Sequence, residues 1–214
     1  MIRNIIWDVD GTLFDTYPPI ARAFKSAIKH LGKDASLEWI EELSKISLSH
    51  CVSRISAEYK LEKDDIEREF KRYYAEIPVE ASPPFGHVVE ICDYIRSING
   101  KNVIVTHRGK EGTAALLSTH NMADKFADCI VRDDGYPRKP DPAVFIAALE
   151  RNNLEREETI NIGDREIDIV AGQAAGIFSC LYGNKIDGVS PDLIVDSFGD
   201  LYQFILDRNK DTNF

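Results

Sequence analysis

Apolar residues recur along this chain in two rhythms. Ile20, Phe24, Ala27, Ile28 and Leu31 return every three or four positions and stop at Gly32. That is the spacing of one helix face, closed by a residue that tolerates a left-handed backbone. Ser36 is placed to cap a second helix carrying Leu37, Ile40 and Leu43; Val52, Ile55 and Tyr59 mark a third, and Ile66, Phe70, Tyr73 and Ile77 a fourth. Elsewhere the apolar residues fall in short runs separated by helical patterns: Ile5-Ile6-Trp7, Val103-Ile104-Val105, Ile160-Asn161-Ile162, Cys180-Leu181 and Leu193-Ile194-Val195. Short continuous runs alternating with helices are what a parallel sheet buried on both faces requires.

Helix breakers divide the two regions. Of 13 glycines only Gly32 lies between positions 15 and 81, and prolines sit at the edges as Pro18, Pro19 and Pro78, with Pro83 and Pro84 just beyond. The expectation is an α/β, Rossmann-like parallel-sheet core over residues 1–14 and 82–214, with an all-α four-helix cap inserted at residues 15–81. The ligand-facing edge of such a sheet is where the strands end at their carboxyl side.

Composition narrows the function. The 26 Lys and Arg against 36 Asp and Glu leave a net charge of −10, which argues against nucleic acid or an anionic membrane as partner. The apolar content of 43% is enough for a packed core, yet the longest apolar stretch, Ala143 to Leu149, is far too short to span a bilayer. The N-terminus lacks the zones of a secretory signal, so a cytoplasmic protein is expected, as a monomer or homodimer. Cys51, Cys92, Cys129 and Cys180 form no C-x-x-C pair and read as buried thiols.

The strand ends carry the candidate chemistry. Asp8-Val9-Asp10-Gly11-Thr12-Leu13, followed by Asp15, places two carboxylates beyond the first apolar run and just before a glycine turn. There an aspartate can act as nucleophile or metal ligand and its neighbour as acid or base, although D-x-D-G by itself also describes an ordinary turn. Thr106-His107-Arg108 ends the second run, where a hydroxyl and the following amides can cradle an anion or simply cap the next helix. Lys139 is stiffened by Pro140 and Pro142 and can neutralise a phosphate and a carboxylate together. Gly163-Asp164 closes the fourth run, with Asp168 one helical turn on.

In this order these segments resemble the haloacid dehalogenase-like superfamily of phosphotransferases. Asp8, Asp10, Gly11, Thr12, Leu13 and Asp15 match its first motif, Thr106 the second, Lys139 the third, and Gly163, Asp164 and Asp168 the fourth. The resemblance implies a Mg²⁺-dependent phosphatase of a small phosphorylated metabolite, of the phosphoglycolate or sugar-phosphate type. Asp8 would be the nucleophile and Asp10 the acid and base. Asp8, Asp164 and the backbone carbonyl of Asp10 would hold the metal, with Asp168 behind them. Thr106, His107 and Lys139 would bind phosphate. Related caps carry a specificity loop where Ser47, Ser49 and His50 stand, here expected between the second and third helices, and Arg54 is a further candidate there. Two positions depart from the family's pattern: Arg165 where Ser or Thr commonly follows Gly-Asp, and His107 where Asn commonly follows the Thr. Two alternatives share the ingredients, a phosphosugar mutase and a phospho-aspartate regulatory module without turnover. The second has its acidic pair first and no helical insertion, unlike this chain.

Overall fold

The protein is described from a computed structural model covering residues 1–210. The chain forms two compact units, one of residues Asp15–Pro83 and the other of Met1–Phe14 together with the chain from Pro84 on.

The first unit is helical: α1 (Tyr17–His30), α2 (Leu37–Ile46), α3 (Leu48–Tyr59) and α4 (Lys63–Ala75). Pro18 and Pro19 sit in the first turn of α1, where a missing N–H leaves no bond unmade. At its far end Gly32 takes φ of +77° and Lys33 N donates to the Ile28 carbonyl at 3.0 Å, so the glycine closes the helix by turning left-handed. Ser36 Oγ accepts from Trp39 N at 3.1 Å and caps α2 as expected. The apolar stripes meet in one cluster that includes Phe24, Ile28, Ile40, Ile55 and Ile66, and Phe24 stacks on Phe70 with ring centroids 4.0 Å apart.

No loop separates α2 from α3. Ser47 ends α2 and caps α3 at once, its Oγ accepting from His50 N at 3.0 Å. Ser49 and His50 are therefore helical residues, a correction to the loop expected there, and the extended backbone of Ser47 makes the whole turn.

The second unit is a six-stranded sheet of β1 (Asn4–Trp7), β2 (Lys101–Val105), β3 (Asp128–Ile130), β4 (Thr159–Gly163), β5 (Phe178–Tyr182) and β6 (Leu193–Val195). The order is β3-β2-β1-β4-β5-β6 and every pairing is parallel. Its helices are α5 (Val88–Ser97), α6 (Lys110–Thr119), α7 (Ala143–Asn152), α8 (Glu166–Ala174) and α9 (Phe198–Lys210).

Ile6 pairs in register with Val103 on one side and Asn161 on the other, so β1 is central and buried along its length. Ile6, Val103 and Val105 pack with α7 and α8 on one face of the sheet. On the other face Trp7 Nε1 donates to Asn102 Oδ1 at 3.1 Å, and Asn102 Nδ2 in turn donates to the carbonyl of Cys92 in α5 at 3.0 Å. Each strand thus alternates its side chains between two apolar layers, which is why the runs read as continuously hydrophobic. No helix among the described residues is long and apolar enough to cross a membrane.

Strand β3 went unread in the sequence because Asp-Cys-Ile contains no apolar run. It lies at the sheet edge, where Asp128 accepts from Arg151 and Asn152 at 3.0 Å each.

Two glycines bring α8 against β4. A Cβ on Gly163 would lie 2.3 Å from Asp168 Cβ, and one on Gly172 would lie 1.9 Å from Asn161 Oδ1. Gly172→Ala is accordingly expected to destabilise the protein by about 1–3 kcal/mol, the usual cost of overpacking. A urea melt with an unchanged midpoint would show that Asn161 moves aside freely.

Candidate active site

The carboxyl ends of β1, β2 and β4, with the loop that follows β3, bring the sequence-predicted residues of this unit together. After β1 the chain turns back on itself. Gly11 takes φ of +74°, Gly11 N donates to the Phe14 carbonyl at 3.0 Å, and Phe14 N donates to the Val9 carbonyl at 3.1 Å. Asp8 and Asp10 meet different partners.

Asp8 is buried beside Lys139. Lys139 Nζ lies 2.7 Å from Asp8 Oδ1 and 2.5 Å from Asp168 Oδ1, with side-chain exposures of 0%, 2% and 1% for the lysine and the two acids. Nζ also donates to the Val105 carbonyl at 3.2 Å, so two carboxylates and a carbonyl surround the ammonium. Burial works against the ammonium, but Asp168 and then Asp8 outweigh it and hold its pKa above the ordinary lysine value. Burial likewise pushes the Asp8 carboxyl from 3.8 up to about 6, against the pull of Lys139.

Asp164, Asp8 and Asp168 each present a carboxylate oxygen to a common point, with these atoms within 4.8 Å of one another. Thr12 Oγ1 donates to Asp164 Oδ1 at 3.4 Å, tying the first loop to the fourth. Asp168, expected behind the metal ligands, presents an oxygen to the same group as Asp8 and Asp164. Gly163 permits this by leaving room for its Cβ. Asp168 also accepts from Arg165 N at 3.2 Å, and the Arg165 guanidinium lies 4.0 Å from Asp8 Oδ2 and 3.9 Å from Asp164 Oδ1.

This donor set suits a hard divalent cation. Asp8 Oδ2 is buried and accepts no hydrogen bond among the described residues, which is costly for a carboxylate oxygen unless a cation meets it. Three carboxylates of oxygen-only character fit Mg²⁺.

Asp10 is turned to Arg108. Arg108 Nε donates to Asp10 Oδ1 at 3.1 Å and Oδ2 at 3.3 Å, and Nη2 lies 2.5 Å from Oδ1. In the sequence Thr106-His107-Arg108 offers a hydroxyl and amides, and the arginine's partner emerges only in the fold. The available signal was a guanidinium three residues past the end of a strand adjacent to β1. Thr106 is buried, and its Oγ1 accepts from Arg108 N at 3.1 Å while keeping its own proton to donate. His107 Nε2 accepts from Lys139 N at 2.9 Å, joining the loop after β2 to the lysine loop. Burial, then repulsion from Lys139, pushes this imidazole down to about 4, so it is neutral near pH 7.

Ser47, Ser49, His50 and Arg54 belong to the helical unit. Ser47 caps α3, Ser49 Oγ lies 3.2 Å from Ser47 Oγ, His50 is half-buried, and Arg54 is exposed on α3.

The profile of the haloacid dehalogenase-like hydrolases matches residues 5–182. A phosphoglycolate phosphatase of Photobacterium profundum is 30% identical over 220 residues, which cover 95% of this chain and 96% of that protein. A crystal structure described as a predicted phosphoglycolate phosphatase from Haemophilus somnus has a TM-score of 0.82 at 22% identity, covering 95% of this chain and 98% of that one. A hydrolase of the same superfamily from Bacillus subtilis, solved with magnesium bound, has a TM-score of 0.75 at 20% identity over 95% and 98% of the two chains. This chain belongs to the haloacid dehalogenase-like hydrolase family. It is an enzyme of the phosphatase type within that family.

The raised pKa of Asp8 has a stability consequence. The folded protein holds this proton more tightly than the unfolded chain, so the stability it lends is present at low pH and lost as pH rises through about 6. In metal-free buffer Asp8→Asn should therefore gain on the wild type between about pH 4 and pH 7, by urea midpoint. A pH-independent difference between the two would show that Asp8 titrates normally.

Proposed function

We propose that the protein hydrolyses a small phosphomonoester, of the phosphoglycolate or sugar-phosphate type, through an aspartyl-phosphate on Asp8. The observation that carries this reading is the state of Asp8: Lys139 fixes one oxygen at 2.7 Å, while the other accepts no hydrogen bond among the described residues. A carboxylate oriented through one oxygen by a buried lysine, with no hydrogen-bond donor on the other, keeps electron pairs for a cation and for attack on phosphorus. The names of the phosphoglycolate phosphatase relatives support the substrate class.

In the first half-reaction a bond forms from the Asp8 carboxylate to phosphorus and the ester P–O bond breaks. Asp10 gives a proton to the departing alcohol oxygen. In the second half-reaction Asp10 takes a proton from water, whose oxygen attacks the same phosphorus and releases phosphate and free Asp8. Thr106 supplies a hydroxyl donor to the phosphoryl oxygens, and Arg165, beside Asp8 and Asp164, supplies positive charge. Lys139 acts by holding Asp8 and balancing its charge, with His107 fixing the lysine loop through Lys139 N.

Asp8, Asp164, Asp168 and the carbonyl of Asp10 are the groups proposed to hold Mg²⁺, which when bound offsets the repulsion between a carboxylate and a phosphate dianion. The helical unit is proposed as the cap, with Ser47, Ser49, His50 and Arg54 as candidate residues for substrate specificity.

Release of inorganic phosphate from p-nitrophenyl phosphate should require Mg²⁺ and stop on chelation. Asp8→Asn should lower the rate by about 10³-fold or more, as loss of a nucleophile does. Full turnover in Asp8→Asn would remove the covalent route, and label retained on a sugar phosphate without phosphate release would point to a mutase instead.

A further inference from the structure

Two aspartates two residues apart are held by different cations. Lys139 takes Asp8, and Arg108 takes Asp10 through Nε on both oxygens and Nη2 on one. The arginine is itself held in place. Its backbone N–H donates to Thr106 Oγ1 at 3.1 Å, and its carbonyl accepts from Arg132 N at 3.1 Å. Its side chain lies across Gly112 in the first turn of α6, where an added Cβ would come within 3.3 Å of Nη1. The pair sits at the more open side of the site, with side-chain exposures of 14% for Arg108 and 24% for Asp10, against 2% or less for Lys139, Asp8 and Asp168.

This arrangement sets a condition on the substrate, given the reading of Asp10 as the acid that meets the leaving oxygen, on which the inference rests. A leaving oxygen must compete with Arg108 for the Asp10 carboxyl. A neutral alcohol offers the guanidinium nothing in exchange. An alcohol bearing a carboxylate one carbon from the ester oxygen brings a second planar anion next to Asp10, matched to the fork that already grips one. We propose that Arg108 is a specificity-determining residue that binds an anionic group, a carboxylate by preference, on the leaving alcohol next to the phosphoester oxygen. Substrate binding thereby exchanges one carboxylate for another on the same guanidinium and releases Asp10 toward the ester oxygen.

The test compares 2-phosphoglycolate with 2-hydroxyethyl phosphate, which has the same length and no charge on the leaving alcohol, each with Mg²⁺. Wild type should favour phosphoglycolate in kcat/KM by about 10- to 100-fold, the range for one charge-assisted hydrogen-bonded pair, mostly through KM. Arg108→Gln should remove that preference, and Arg108→Lys should restore part of it. A residue that only positions Asp10 would slow both substrates in proportion and leave their ratio unchanged, and that result overturns the proposal. Equal use of the two substrates by wild type overturns it without any variant, should Arg108→Gln fail to fold. If wild type hydrolyses neither substrate nor p-nitrophenyl phosphate, the phosphatase reading itself fails, and the proposal with it. Activity on p-nitrophenyl phosphate without a preference sinks the proposal alone.

Discussion

The site is organised around an ammonium group withdrawn from water. Lys139 Nζ, fully buried, lies within 2.7 Å of carboxylates from the loop after β1 and from α8. Removing a charge from water is costly unless its partners are close and well oriented, and losing one partner of such a pair typically costs about 3–5 kcal/mol. Several neighbouring features serve that requirement. Gly163 leaves space for Asp168, the Val105 carbonyl accepts from the lysine, and His107 holds the lysine loop by its backbone. The electrostatic demand of one side chain thus sets the approach of a helix, a loop and three strands.

The same demand separates Asp8 from Asp10. If both carboxylates faced Lys139, each would raise the cost of ionising the other. The turn at Gly11 sends Asp10 to the guanidinium of Arg108, leaving Asp8 to the lysine. Two chemically identical residues thereby acquire different surroundings, one buried and one half-open.

Much of this was legible in the sequence because it rests on local signals. Five of the six strands and all four helices of the inserted unit follow from periodicity, and Gly32 and Ser36 close and open helices where residue chemistry says they should. The convergence of Asp8, Lys139, Asp164 and Asp168 was legible as strand-end placement, though not the depth to which Lys139 is buried. What stayed hidden depends on neighbours distant in sequence. β3 is held by pairing with β2 rather than by its own apolarity, Arg108 acquires a role only through a residue 98 positions away, and Ser47 serves two helices with one hydroxyl.

Consider finally where the helical unit joins the chain. Phe14 and Pro84 form a bridge within the sheet unit, and Asp15 N donates to the Pro83 carbonyl at 2.9 Å within the helical one. The inserted segment therefore begins and ends at adjacent points and contributes no strand. Topologically it is a side branch. The backbone of the sheet unit would close on itself whatever the branch contained, so the length and content of the insertion can change over evolutionary time without altering strand order or the residues at the strand ends.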